Sequence, residues 1–190
     1  IAAGASGPKV DRSILATLHV PGAKPATMRR QPITAMAVSS GGVRALGTFG
    51  KVIVGKRAFT SHAGKVNALT FSADGNFLLA ASGVTGLRGE AVLWNLKTGR
   101  RSHTFSEGHR DTLYGAALSP DGAIAATAGY DRRIQLWNTR TGKSLRTLEG
   151  HNGPIHGIAF SPDGTVLASA GGDSAVKLWH VASGQRLDTF

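Results

Sequence analysis

No cysteine occurs among the 190 residues. Disulfides, thiolate zinc sites, a haem-attachment Cys-x-x-Cys-His and a cysteine nucleophile are therefore excluded on this chain. The absence does not settle the compartment, because a large domain can be secreted without disulfides. No apolar stretch reaches the ~18 residues of a membrane span. The longest candidate, Phe77 to Leu87, is broken by Ser82, Gly83, Thr85 and Gly86. No charged n-region followed by an apolar h-region marks a secretory signal. The chain opens on Ile1 rather than Met and is read as an excised piece. No segment keeps a 3.6-residue apolar period for three turns, so helices are not expected. Phosphate-binding loops, dinucleotide fingerprints and His-Glu-x-x-His zinc motifs are missing too, so no cofactor and no metal is expected.

Acidic residues are scarce: 11 Asp plus Glu stand against 22 Lys plus Arg, a formal charge of +11. Such an excess raises non-specific attraction to nucleic acid, anionic headgroups or acidic proteins. The charges are dispersed, however. No run of Lys and Arg is longer than a pair, as at Arg29-Arg30, Arg100-Arg101 and Arg132-Arg133. With no basic helix and no aromatic-interleaved basic run, a solvated basic surface is the plainer reading. A compact fold of this length buries roughly 70% of its unfolded surface and needs no metal or disulfide staple.

What the chain does contain is a repeat. Gly150 to Gly164 reads Gly-His-Asn-Gly-Pro-Ile-His-Gly-Ile-Ala-Phe-Ser-Pro-Asp-Gly, and Gly108 to Gly122 repeats it 42 residues earlier. The same offset relates His109 to His151, Thr127 to Ser169, Asp131 to Asp173 and Trp137 to Trp179. A third copy runs from Ser61-His62 to Trp94-Asn95, with about four extra residues between Gly83 and Glu90. A fourth, Pro32 to Gly42, lacks the His, the Asp and the Trp. Within each period, short apolar and β-branched runs are split by Gly, Asp, Asn and Pro, as in short strands. Ser-Pro-Asp-Gly is turn chemistry, so Asp74, Asp121 and Asp163 are read as turn formers rather than metal ligands. In the last period the strands are expected at about 154–161, 165–171, 175–181 and 186–190. Four short antiparallel strands per ~42 residues make one propeller blade. The expected fold is all-β: about four four-stranded β-propeller blades, at roughly 31–60, 61–107, 108–149 and 150–190, forming part of a larger propeller.

Gly-His, Ser-Pro-Asp-Gly, Leu-Ala-Ser-Ala and Asp-x-x-Val-Lys-Leu-Trp together resemble a WD repeat, from residue ~31 to 190. The signature dipeptide departs from the family, as Trp-Asn at 94 and 137 and Trp-His at 179. The resemblance implies a buried structural tetrad per blade: Trp137, Thr127, His109 and Asp131 in one, and Trp179, Ser169, His151 and Asp173 in the next. An indole N–H is donor-only and needs an acceptor when buried. A hydroxyl can accept it and donate to imidazole, whose other nitrogen can donate to the carboxylate. Ser169, His151 and Asp173 are also the residue types of a hydrolase triad. The constellation occurs twice, each time with Trp, and no Gly-x-Ser-x-Gly elbow surrounds either hydroxyl, so no catalytic residue and no enzyme is expected. In the second copy Ala80 replaces the hydroxyl and the Asp turn becomes Val84–Glu90, leaving only His62 and Trp94 of a clamp.

Residues 1–30 read as a linker, with a lone strand at 14–20. The opening Ile-Ala-Ala-Gly-Ala-x-Gly is similar to the end of c-type cytochrome-like domains that precede WD repeats in some large bacterial proteins. That resemblance implies a periplasmic or extracytoplasmic location; without it, a cytoplasmic one is expected. An unclosed array would leave strand edges exposed, so self-association or completion by further blades is expected. The leading functional expectation is a non-catalytic protein-interaction scaffold. Specificity should sit at rim positions that vary between copies: Thr34, Asn67, Tyr114 and His156 on the inner strands, and Leu87 and Arg88 in the inserted loop. Tyr130 and Arg132 flank an Asp turn, and Arg110 lies in the preceding loop. The rivals are a bacterial cytochrome-like module docking a substrate or redox partner, and binding of anionic surfaces or nucleic acid through net charge.

Overall fold

The structure is a computed structural model that describes residues 31–190. The strand expected at 14–20 and the opening segment lie outside the described residues. Fifteen strands follow one another without a helix among the described residues. They are β1 (Ala35–Val38), β2 (Arg44–Gly47), β3 (Phe49–Val54), β4 (Arg57–Phe71), β5 (Phe77–Val84), β6 (Arg88–Asn95) and β7 (Arg100–Phe105). Then come β8 (Leu113–Leu118), β9 (Ile124–Gly129), β10 (Arg133–Asn138) and β11 (Ser144–Glu149). The last four are β12 (Ile155–Phe160), β13 (Val166–Gly171), β14 (Val176–His180) and β15 (Arg186–Thr189).

β8–β11 and β12–β15 form two four-stranded antiparallel sheets, each a simple meander. These are the third and fourth blades. The first seven strands form one sheet in chain order. The boundary drawn between residues 60 and 61 falls inside β4, which serves two blades. Its start pairs with β3, as Val52 opposite Phe59, and its remainder pairs with β5, as Leu69 opposite Ala80. Between the two halves Ser61 and Gly64 take φ of 73° and 67°, so the strand turns without losing its pairing.

Each blade end is closed by local chemistry. In the third blade Ser119 donates its hydroxyl to Asp121, and Gly122 at φ 70° returns its N–H to the Ser119 carbonyl at 2.8 Å. The same arrangement recurs at Ser72–Gly75 and Ser161–Gly164. The hydroxyl of Ser161, with the N–H of Thr165, holds the Asp163 carboxyl at about 2.

Blades pack face to face through apolar side chains placed at every second strand residue. Ala45, Val52 and Phe59 of the first blade meet Leu78, Val92 and Trp94 of the second. Leu79, Leu93 and Phe105 of the second meet Leu113, Ala125 and Trp137 of the third. Ile134, Leu136 and Leu148 of the third meet Ile155, Leu167 and Trp179 of the fourth. Burying each Val, Leu, Ile or Phe among them stabilises by ~1.5–3 kcal/mol, so the interfaces between blades carry much of the fold. The inner strands β1, β4, β8 and β12 run side by side. All the Gly-His loops thus lie on one face, called upper here, and the Ser-Pro-Asp-Gly turns on the other, the lower.

Candidate partner-binding face

Two chains of hydrogen bonds anchor the upper loops. The Trp137 indole N–H donates to Thr127 Oγ1 at 2.8 Å, and Thr127 lies 2.8 Å from His109 Nε2. His109 Nδ1 lies 2.8 Å from Asp131. In the fourth blade Trp179 donates to Ser169 Oγ at 2.8 Å, Ser169 is 2.8 Å from His151 Nε2, and His151 Nδ1 is 2.9 Å from Asp173. Because the indole can only donate, the hydroxyl hydrogen points at Nε2 and the imidazole hydrogen sits on Nδ1. Each carboxylate also accepts a loop N–H, from Arg110 at 3.1 Å and from Asn152 at 2.9 Å. Burial pushes Asp173 up, but the N–H of Asn152 and the His151 ring outweigh it and hold the carboxyl at about 2. Asp131 is likewise held low against its burial by His109 and by the N–H groups of Arg110 and Arg133. Both hydroxyls are sealed: Thr127 is 0% exposed and Ser169 1%. Among the described residues no cluster of His, Asp and Glu is placed to hold a metal ion.

The second blade is built differently. Ala80 is fully buried at the hydroxyl's position, and Trp94 donates directly to His62 Nε2 at 3.2 Å. His62 Nδ1 is buried with no hydrogen-bond partner among the described residues. Desolvation, together with the Arg101 guanidinium, lowers this imidazole to about 4. The carboxylate role is divided. Glu90 Oε1 accepts the Ala63 N–H at 2.6 Å, as Asp131 accepts that of Arg110, but forms no hydrogen bond with the imidazole. Sequence reasoning missed Glu90 because the insertion moves it off the repeat spacing.

The inserted residues lengthen the β5–β6 hairpin, whose tip turns at Val84–Leu87 with Gly86 at φ 73°. Gly86 N–H donates to Asp111 Oδ1 of the third blade at 2.8 Å. Gly83 and Gly89 let the hairpin lie against that blade: a Cβ at Gly83 would come 2.6 Å from Thr112 Cα, and one at Gly89 would strike the Asp111 carbonyl. Leu87, 68% exposed, and Arg88 thus project from a pinned tip on the upper face.

The aligned inner-strand residues divide into two kinds. Thr34 donates its hydroxyl to the Val66 carbonyl at 2.6 Å, and Asn67 donates its amide to the Leu113 carbonyl at 2.8 Å. Each spends its donor on the next blade's inner strand. Tyr114 instead lays its ring 5.4 Å from that of His156 and 6.5 Å from that of Tyr130. Arg110, Tyr130 and Arg132 line one open cleft with Pro154, next to the Tyr114 and His156 rings, whereas Thr34 lies on the first blade. On the lower face, Lys97, Arg100, Arg101, Arg140 and Lys143 are exposed, and Arg140 borders a groove of about 370 Å³ lined also by Phe77, Leu93 and Leu118.

The family profile described as "WD domain, G-beta repeat" matches three stretches, residues 54–95, 99–138 and 142–180. The second stretch begins with β7, the outer strand of one blade, and ends with β10 of the next. Similar curated proteins include the small ribosomal subunit protein RACK1y of Oryza sativa subsp. japonica, 35% identical over 46% of this chain and 25% of that protein. Eukaryotic translation initiation factor 3 subunit I of Neosartorya fischeri is 31% identical over 46% and 24%, respectively. WD repeat and SOCS box-containing protein 1 of Homo sapiens is 33% identical over 40% and 18%. The matched stretch thus spans about a quarter or less of the length of these relatives.

Proposed function

The chain belongs to the WD-repeat family, and on that premise we propose that it is a non-catalytic protein-interaction scaffold whose partner docks on the upper face. The observation that carries the reading is the contrast between the faces. The lower face repeats near-identical Ser-Pro-Asp-Gly turns. The upper face differs from blade to blade and gathers exposed Leu87, Tyr130 and Arg132 on hydrogen-bonded turns and His156 at the start of β12. Tyr and Arg are over-represented among interface anchors. Thr34 and Asn67 serve this face by tying successive inner strands together. Two of the relatives are named as a ribosomal subunit protein and a translation initiation factor subunit, and a place in an assembly is the corresponding reading here. The tetrads act as structural clamps, their hydroxyls closed to any substrate by the indole above them. The cytochrome-module reading rests on Ile1–Gly7, outside the described residues, and the relatives named are eukaryotic and lend it no support.

Completion by further blades or self-association belongs to the same reading. The side chains that the third blade turns to the fourth, Ala126, Ala128, Ile134, Leu136 and Leu148, are all 2% exposed or less. One repeat later stand Ala168, Ala170, Val176, Leu178 and Phe190, of the same chemistry, yet Val176 is 42% and Phe190 71% exposed. The platform is tested by capturing a partner from the source organism's lysate with two mutant sets. Tyr114→Ala or Tyr130→Ala should weaken capture by ~1–2 kcal/mol or more. Changing Arg100, Arg101 and Arg140 to Ala should alter mainly salt-sensitive background. A partner lost with the arginine set and indifferent to the tyrosines overturns the reading.

A further inference from the structure

Between the loop before β8, the β9–β10 turn and Pro154 lies a cleft of about 540 Å³. Three guanidinium side chains line it, those of Arg110, Arg132 and Arg133, beside the half-exposed ring of Tyr130. Its two carboxylates are already engaged. Asp111 accepts the N–H groups of Gly86 at 2.8 Å and Thr112 at 2.7 Å. Asp131 accepts from His109 and from the N–H groups of Arg110 and Arg133. Arg133 pairs with Glu149, its Nε 2.9 Å from Oε1. The side chains of Arg110 and Arg132 form no ion pair among the described residues. The cleft therefore offers guanidinium donors in excess of acceptors.

The fourth blade is an internal control. It has the same loop, the same His–Asp pair and the same left-handed turn residue, Ser174 at φ 61° against Arg132 at φ 65°. Where the third blade carries Arg110, Tyr130, Arg132 and Arg133, the fourth carries Asn152, Gly172, Ser174 and Ala175. The loop geometry thus needs none of the charged or aromatic side chains. Arg132 even occupies a backbone region that disfavours any residue with a Cβ.

Resting on the platform reading above, we propose that this cleft binds a peptide segment of the partner bearing an anionic side chain. Arg110 and Arg132 grip the anion, and an apolar neighbour lies on Tyr130. A guanidinium fork matches the oxygens of a carboxylate or a phosphate monoester. The aromatic shelf of Tyr130, Tyr114 and His156 continues the cleft across the upper face. A peptide fits better than a nucleic acid. The guanidinium groups converge on one cleft instead of tracking a phosphate backbone.

The test is a display library of random dodecapeptides sorted against the chain and against a graft of the fourth-blade residues, Arg110→Asn, Arg132→Ser and Arg133→Ala. The chain should enrich peptides with Asp or Glu close to Phe, Tyr, Trp or Leu, and the graft should not, with its thermal unfolding unchanged. A synthetic copy of the best peptide should bind at least ~10-fold more weakly with Gln in place of the acid. A phosphoserine copy that binds more tightly than the Glu peptide assigns the site to phosphate, and a weaker one to carboxylate. Arg132→Gly keeps the fold testable: it relieves the turn, so stability should hold or rise while the peptide is lost. Enriched peptides without acid, retention by the graft, or no enrichment at all overturns the proposal. So does a short single-stranded DNA that loses as much affinity in the graft as the peptide does. A partner held through Tyr114 and Tyr130 but indifferent to the graft removes this proposal and leaves the platform reading standing.

Discussion

Acidification should first loosen the second blade, through His62. The imidazole is 6% exposed, its Nδ1 has no hydrogen-bond partner among the described residues, and its Nε2 accepts the Trp94 indole. Protonation would destroy that acceptor and bury a charge within reach of the Arg101 field. The folded value is lowered from 6.5 to about 4. Between those limits the unfolded chain takes up a proton that the native chain refuses. Stability is therefore complete above pH 6.5, falls as the pH drops, and stops falling on this account near 4. Each unit costs ~1.4 kcal/mol, so the group removes at most ~3 kcal/mol. That is a large part of the ~5–15 kcal/mol that holds a typical domain together. Long-range 1H–15N spectra of the histidine rings read the titration directly, and urea unfolding at pH 7 and 4.5 reads its cost. His62→Gln, which keeps an acceptor for Trp94 but cannot titrate, should lose this part of the pH slope. A His62 ring that titrates near 6.5, or an unchanged slope in His62→Gln, would refute the reasoning.

Further outcomes follow from the same geometry. Below pH ~4 a second loss should begin as the depressed carboxylates Asp131 and Asp173 are protonated, ending near the Asp173 value of about 2; denaturant titrations across that range measure it. Trp179→Phe should lower stability by ~1–3 kcal/mol in urea unfolding, because it unpairs a sealed hydroxyl–imidazole–carboxylate chain. A hydrolase activity lost in Ser169→Ala at constant melting temperature would contradict the clamp role. Gly89→Ala should cost ~1–3 kcal/mol in the same assay, since its Cβ meets the Asp111 carbonyl and lifts the hairpin off the third blade. The chain should self-associate at tens of micromolar in sedimentation experiments through apolar faces such as that of Val176 and Phe190, and Val176→Lys should reduce this; a sharp monomer contradicts it.

The all-β fold was legible because each period carries its own punctuation. Ser161-Pro162-Asp163-Gly164 closes one turn and Ser183-Gly184 the next, so the strands around them fall within a residue or two of the expected spans. The continuity of β4 was not legible. The repeat sets Ser61-His62 at the start of a new copy, where the later copies have a loop, whereas here the pairing runs on through the left-handed Ser61 and Gly64. The side chains joined by hydrogen bonds in the third and fourth blades recur at one offset, so alignment brings them together. Glu90 does not recur at that offset, because the longer hairpin carries its carboxylate to Ala63 from a different position in the chain. The rim showed the limit of alignment most clearly. Thr34, Asn67, Tyr114 and His156 are equivalent in the repeat, yet the first two turn their donors to a neighbouring carbonyl. Which way a side chain turns depends on the next blade, and no single repeat encodes that.

The most direct test of the account is a hydrogen-exchange footprint of the chain bound to its captured partner. Protection should fall on the upper face, at the hairpin tip 84–88, the loop 110–114, the turn 130–132 and His156. The lower turns at 72–75, 119–122 and 161–164 should exchange as in the free chain. Protection confined to those lower turns, with the upper loops unchanged, would contradict it.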